Sequence, residues 1–127
     1  MAEVGNRIIL LNKEQLKELR TRLKKKQSPD VIVIDSVHYL RRFNMDQYQT
    51  LRDEFPDKLF IFISHEKAGQ PKGMMAQNIR YDSEIKIRVE GYKAFVTTRY
   101  EVADLGEGGA DFVIWEAGAQ EYWIDKM

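Results

Sequence analysis

Two unbroken apolar runs organise the first half of the chain. Val31-Ile32-Val33-Ile34 is closed by Asp35, and Leu59-Phe60-Ile61-Phe62-Ile63 is closed by Ser64-His65. Short continuous runs of this kind predict strands buried on both faces, as in a parallel sheet with helices above and below. A shorter run from Arg7 to Leu11 predicts a strand ahead of them. After it the period changes. Leu16, Leu19 and Leu23 fall on one face of a helix starting at Lys13, with Lys and Arg on the other faces as far as Lys26. Asn12 and Gln15 have the spacing of a capping box, Ser28-Pro29 stops the helix, and Lys24-Lys25-Lys26 sit where cations complement the helix dipole. Strand, helix and strand at these lengths predict a parallel βαβ unit with a right-handed crossover. A second helix is predicted over Met45 to Glu54, with Tyr48, Leu51 and Phe55 facing inward and Pro56 ending it.

The second half has a different pattern. Glu66 to Gln77, with Gly69, Pro71 and Gly73 and no apolar period, predicts a loop. Ile85, Ile87 and Val89 alternate with Lys86, Arg88 and Glu90, the mark of a half-exposed strand. Gly91-Tyr92 turns it and Ala94 to Tyr100 returns, so this pair predicts a hairpin. Asp104 to Gly109 reads as a Gly-rich turn, and Phe112–Trp115 and Glu121–Ile124 as a last pair of short strands. Tyr92, Tyr100, Trp115, Tyr122 and Trp123 suit sheet packing better than base stacking.

Composition narrows the class. The 127 residues are enough for one domain with a single core, and 43% hydrophobic with 31% charged residues is a globular balance. Lys+Arg and Asp+Glu both number 20, so any nucleic-acid contact has to come from a local patch. The absence of Cys removes disulfides and thiolate metal sites and fits a reducing, cytoplasmic setting. Two His make a conventional zinc site unexpected. No apolar run approaches the roughly 20 residues that span a bilayer, and no basic-then-apolar leader opens the chain, so neither membrane insertion nor secretion is expected.

From Arg7 to about Trp115, the order of elements and the residues at the strand ends resemble the RecA-like ATPase core of the P-loop NTPases. The likeness is strongest to the replicative-helicase (DnaB-like) branch and related phage-type AAA ATPases. This resemblance implies that Asp35 is the Walker B acid, holding the Mg²⁺ of a bound ATP, with Ser36 beside it. It implies that Ser64 and His65 form a sensor at the γ-phosphate, linked to the loop that follows. Arg99, in Thr97-Thr98-Arg99-Tyr100, takes the place of an arginine finger directed at a neighbouring subunit's nucleotide. Loops 37–44 and 66–77 would then face nucleic acid, with Arg41, Arg42, Lys67 and Lys72 on its phosphates.

The chain also departs from that family. No G-x-x-x-x-G-K-[ST] occurs in it. The phosphate loop, its strand and the catalytic Glu would lie upstream of Met1. His65 stands where Gln is frequent, and Thr97 where the helicases usually carry Lys. The expected fold is therefore α/β: a partial RecA-like parallel sheet with flanking helices and C-terminal antiparallel hairpins, one domain over 1–127, truncated on its N-terminal side. ATP and Mg²⁺ are implied by the resemblance, with weak or absent binding and no hydrolysis by this chain alone.

Two functions follow. The chain is the C-terminal portion of a nucleic-acid-associated ATPase of replication or repair, or it is a stand-alone non-catalytic RecA-like module for protein assembly or nucleic-acid binding. A receiver-like signalling domain would need several acids at one sheet edge, and only Asp35 is in place. The plain readings of the same residues are a capping acid, a polar strand end, solvated loops and a surface ion pair, with His38 hydrogen-bonded locally. The family's phosphate-loop strand would lie between the strand ending at Ser64-His65 and the one beginning near Ile85. Its absence leaves open backbone, to be closed by direct pairing of those strands, by a homo-oligomer, or by a partner or longer chain supplying the strand.

Overall fold

Both apolar runs are strands, and they pair in parallel. β1 (Val31–Asp35) lies beside β2 (Leu59–Ile63) in the register Val31↔Leu59 to Asp35↔Ile63. The computed structural model describes residues 8–67, 69–98 and 111–126. The chain divides into two compact units, Met1–Ile79 and Arg80–Met127. It holds helices and strands together, so mixed α/β is its class, and among the described residues its parallel component is this one pair of strands.

In the first unit, α1 (Leu16–Leu23) and α2 (Met45–Glu54) supply Leu23 and Leu51 to a core with Ile32, Ile34 and Phe55; Leu16, Leu19, Phe60 and Phe62 close its margin. The connection between the parallel strands is α2, so the βαβ unit is β1–α2–β2 rather than one opened by Arg7–Leu11. Ile8 to Leu11 are exposed and form no strand, and Arg7 lies outside the described residues. An apolar run becomes a strand only where a neighbouring edge takes its hydrogen bonds, and the sheet here ends at β1 and β2. The helix also starts later than its capping pattern suggests. Lys13 has φ 63, and Gln15 is the N-cap without a side-chain cap bond. The Gln15 amide is used elsewhere: its Nε2 donates to the Tyr39 carbonyl (3.3 Å) and its Oε1 accepts from the Arg41 N–H (2.9 Å). By contrast α2 is capped, with Asn44 Oδ1 accepting from the Gln47 N–H at 2.9 Å.

The expectation of strands buried on both faces is corrected. Ile32 and Ile34 are buried and Phe60 and Phe62 partly so, whereas Val31, Val33, Leu59, Ile61 and Ile63 are exposed. The hydrophobic clusters formed with α1 and α2 lie on one side of the pair, and the other side carries a bare aliphatic face. The expected loop over Glu66–Gln77 is also more structured. It contains a small hairpin, β3 (Glu66–Lys67) with β4 (Gln70–Pro71), and then α3 (Met74–Asp82). Gly69 and Gly73 take the left-handed conformations (φ 78 and 91) that the turns require. Ala76 and Ile79 of α3 join Val37 and Tyr48 in a second small cluster; two inward residues are too few to show a helical period.

Glu54 ties α2 to α1. Its carboxylate is hydrogen-bonded to Arg20 and lies 3.5 Å from Lys24 Nζ. The Arg20 bond holds the Glu54 carboxyl below the usual carboxylate range, against partial desolvation that pushes it up. A carboxyl lowered in the folded state stabilises above its unfolded pKa, about 4.3, and loses that contribution as pH falls through the folded value. Acid titration of Tm is therefore expected to show a component in that window that Glu54→Gln lacks. Identical acid profiles for the two proteins would contradict it.

The second unit is an antiparallel sheet in the order β5 (Ile85–Glu90), β6 (Lys93–Thr98), β7 (Asp111–Val113), followed by α4 (Glu116–Ile124). The predicted hairpin is present, with Ile85↔Thr98 through Glu90↔Lys93 paired. The predicted strand over Glu121–Ile124 is instead the last part of α4. The Trp123 ring meets Phe95 edge-on at 5.8 Å and lies under Lys93 at 5.6 Å, and Trp123 Nε1 donates to the Gly91 carbonyl at 3.1 Å. These contacts hold the segment as a helix over the sheet and override the β-like run Tyr122-Trp123-Ile124. Tyr92 and Trp115 pack edge to face at 5.0 Å, as sheet-packing aromatics should. Among the described residues β2 and β5 belong to separate sheets, so direct pairing, one of the three closures left open above, is not formed.

Candidate functional site

The parallel register decides which of the predicted residues share an edge. Asp35 ends β1 opposite Ile63, and Ser64 and His65 follow directly on β2, so all three stand at the C-terminal edge of the pair, where ligands of such sheets collect. Asp35 is exposed, and its place in the alternation puts it on the bare aliphatic face. Ser36 follows through a cis peptide and is only 2% exposed. It heads a short 3-10 turn, Val37–Tyr39, and its Oγ has no hydrogen-bond partner among the described residues.

His38 sits in that turn and belongs to the site. Its Nε2 accepts the His65 N–H at 3.3 Å, and the two imidazoles stack with centroids 5.4 Å apart at 18°. The partner of His38 is thus 27 residues away rather than local. The signal that finds it is slight: the chain has two His, each just beyond the end of an apolar run. Behind them, the His65 carbonyl accepts the Lys72 N–H at 2.7 Å, and Ser64 Oγ donates to that carbonyl at 3.1 Å. A Cβ built on Gly73 would stand 3.9 Å from His38 Cε1, so the start of α3 lies close to the histidine pair. The 66–73 segment is therefore bonded to the strand end that carries His65.

The predicted cationic residues are all exposed: Arg41 and Arg42 after the 3-10 turn, Lys67 on β3 and Lys72 before α3. Arg42 adopts φ 53, and the Arg41 backbone is fixed by Gln15. Arg99 lies outside the described residues. No three His, Asp or Glu side chains among the described residues converge as a metal-binding group. No helix among them is long and apolar enough to cross a membrane. A groove of about 180 Å³ lined by Leu16, Lys17, Arg20, Gln47 and Thr50 involves none of the edge residues.

Comparison with family models, with curated proteins and with solved structures finds no match. The functional reading therefore rests on the strand edge itself.

Proposed function

We propose that this chain is the C-terminal portion of a RecA-like, nucleic-acid-associated ATPase core, with an active site that is incomplete by itself. Asp35 is the metal-side acid, Ser64 and His65 the sensor, and Arg99 the finger toward a neighbouring subunit. Arg41, Arg42, Lys67 and Lys72 form the phosphate contacts of the nucleic-acid loops. The observation that supports this best is the register Asp35↔Ile63, which brings the acid and the Ser64-His65 pair to one ligand-collecting edge.

Mg²⁺ at nucleotide sites takes one or two carboxylates and fills its other positions with phosphate oxygens and water. One exposed carboxylate matches that role and no more. The cation, if bound, would screen charge on a triphosphate; this chain supplies the acid that would place it and the His65 carbonyl, which accepts the Lys72 N–H and so links the edge to the segment that follows. Parallel strands are normally covered on both faces. The bare face of Val31, Val33, Leu59, Ile61 and Ile63, with Asp35 at its end, suits a second layer supplied by a partner polypeptide or another copy.

Titration of Mn²⁺·ATP into the ¹⁵N-labelled chain tests the reading through paramagnetic line broadening. Selective broadening at Asp35, Ser36, Ser64 and His65 is expected, without effect on α1, and Asp35→Asn should remove it. Phosphate release by the chain alone is expected to stay at background. No selective broadening at millimolar nucleotide would reject the nucleotide site and leave a non-catalytic module. Steady turnover by the isolated chain would reject the incomplete-site reading.

A further inference from the structure

The sheet of the second unit is inverted relative to an ordinary helix-backed sheet. The face toward α4 carries Lys86, Arg88, Glu90, Lys93 and Asp111, interleaved with Phe95 and Val113. Three of these charges have partners there: Arg88 lies over the Phe95 ring at 4.4 Å and 3.3 Å from Glu90, and Lys93 lies over Trp123. The opposite face carries Ile85, Ile87, Val89, Ala94, Val96, Thr98 and Phe112, with no charge among them. Burial of the apolar stripe normally drives a strand to pack, yet this stripe is the bare one.

We propose that the bare face of β5–β6–β7 is a self-association surface on which a second copy of this chain docks face to face. Ile85, Ile87, Val89 and Phe112 are 60, 62, 60 and 66% exposed, which amounts to about 500 Å² of largely apolar surface, the size of patch that marks interaction sites. Two copies joined through it would remove about 1,000 Å² from water, the threshold of a specific interface. A second copy is the occupant that the chemistry favours. A two-fold contact sets the same patch against itself, and a patch without charges offers itself no repulsion. A partner of marked charge would find no counterpart on it. Edge-to-edge pairing through β5 is discouraged by Lys86 and Arg88 on that strand, and the other edge, β7, offers three residues only. The product is a sandwich of two three-stranded sheets about 10 Å apart. This inference does not rest on the ATPase reading.

Sedimentation velocity of the full chain over the micromolar range is the test. A concentration-dependent dimer is expected for the wild type. Ile87→Lys is expected to weaken it at least about tenfold, because the two-fold places two unpaired charges in the contact. Trp fluorescence and far-UV CD should be unchanged. The chain contains no Cys, so a lone thiol gives an independent readout. Ile87→Cys should cross-link to a covalent dimer with a short bis-maleimide, and Thr97→Cys, on the opposite face, should not. A wild type that stays monomeric at hundreds of micromolar overturns the proposal. So does a dimer that survives Ile87→Lys but is broken by Val33→Lys, and so does equal cross-linking from both faces.

Discussion

Replacing Leu51 with Ala is expected to destabilise the first unit by about 2–5 kcal/mol, the range for truncating a buried leucine. Leu51 is 0% exposed and sits where α2 meets β1, against Leu23, Ile32, Ile34 and Phe55. Its neighbours come from α1, from the residue that ends α2 and from the rigid ladder of β1 with β2, so the cavity cannot close by moving one side chain. Domain stabilities are about 5–15 kcal/mol, so this one change removes a large share of the total. The readout has to be local. Both Trp residues, Trp115 and Trp123, lie in the second unit. Hydrogen exchange at the Ile32 and Ile34 amides follows the right unit, and protection there should fall. A loss below about 1 kcal/mol, well under the range for core leucines, would mean that this core is not packed as described.

Gly91→Ala is expected to have an effect of similar size on the second unit. Gly91 has φ 55, where a Cβ costs about 1–2 kcal/mol. The added carbon would stand 2.2 Å from Tyr122 Cδ1 and 2.8 Å from Trp123 Nε1. Relief requires the Tyr122 and Trp123 rings to move, and with them the hydrogen bond from Trp123 to the Gly91 carbonyl. Overpacking of this kind costs a further 1–3 kcal/mol or so. Trp fluorescence during urea unfolding should show a lower midpoint and a changed native-state emission. Gly69→Ala separates the two causes, since Gly69 has φ 78 but its nearest foreign atom would be Glu66 Oε1 at 4.0 Å. It should show backbone strain alone. Equal effects at the two glycines would remove the steric part of the argument.

Local pattern was sufficient for several elements. The runs closed by Asp35 and by Ser64-His65 specify strands because consecutive aliphatic and aromatic residues fit few other conformations of that length. The alternation from Ile85 to Val89 specifies a strand, Gly91 its turn, and Tyr48-Leu51 the inner face of α2. The strand ends also carried most of the candidate site, since an acid and a polar pair at the ends of parallel neighbours must share an edge. His38 was harder to find. Its value lies in a contact with His65 across 27 residues, and no spacing along the chain encodes that.

The sequence by itself determined the elements whose side chains repeat with one period, and the order of chemistry-bearing residues at their ends. Only the tertiary structure decided which strands pair beyond the Ile85–Thr98 hairpin, which face of each sheet meets a helix, and that Tyr122-Trp123-Ile124 is helical. Hydrophobic pattern states that a face is apolar but not what covers it. The cover depends on contacts between residues far apart in the chain: the Gln15 amide reaching Tyr39 and Arg41, and Trp123 reaching Phe95, Lys93 and Gly91. Such contacts form only when the chain has closed the loops between them. Their energies then outweigh the local preferences, usually under 1 kcal/mol per residue, from which a sequence is read.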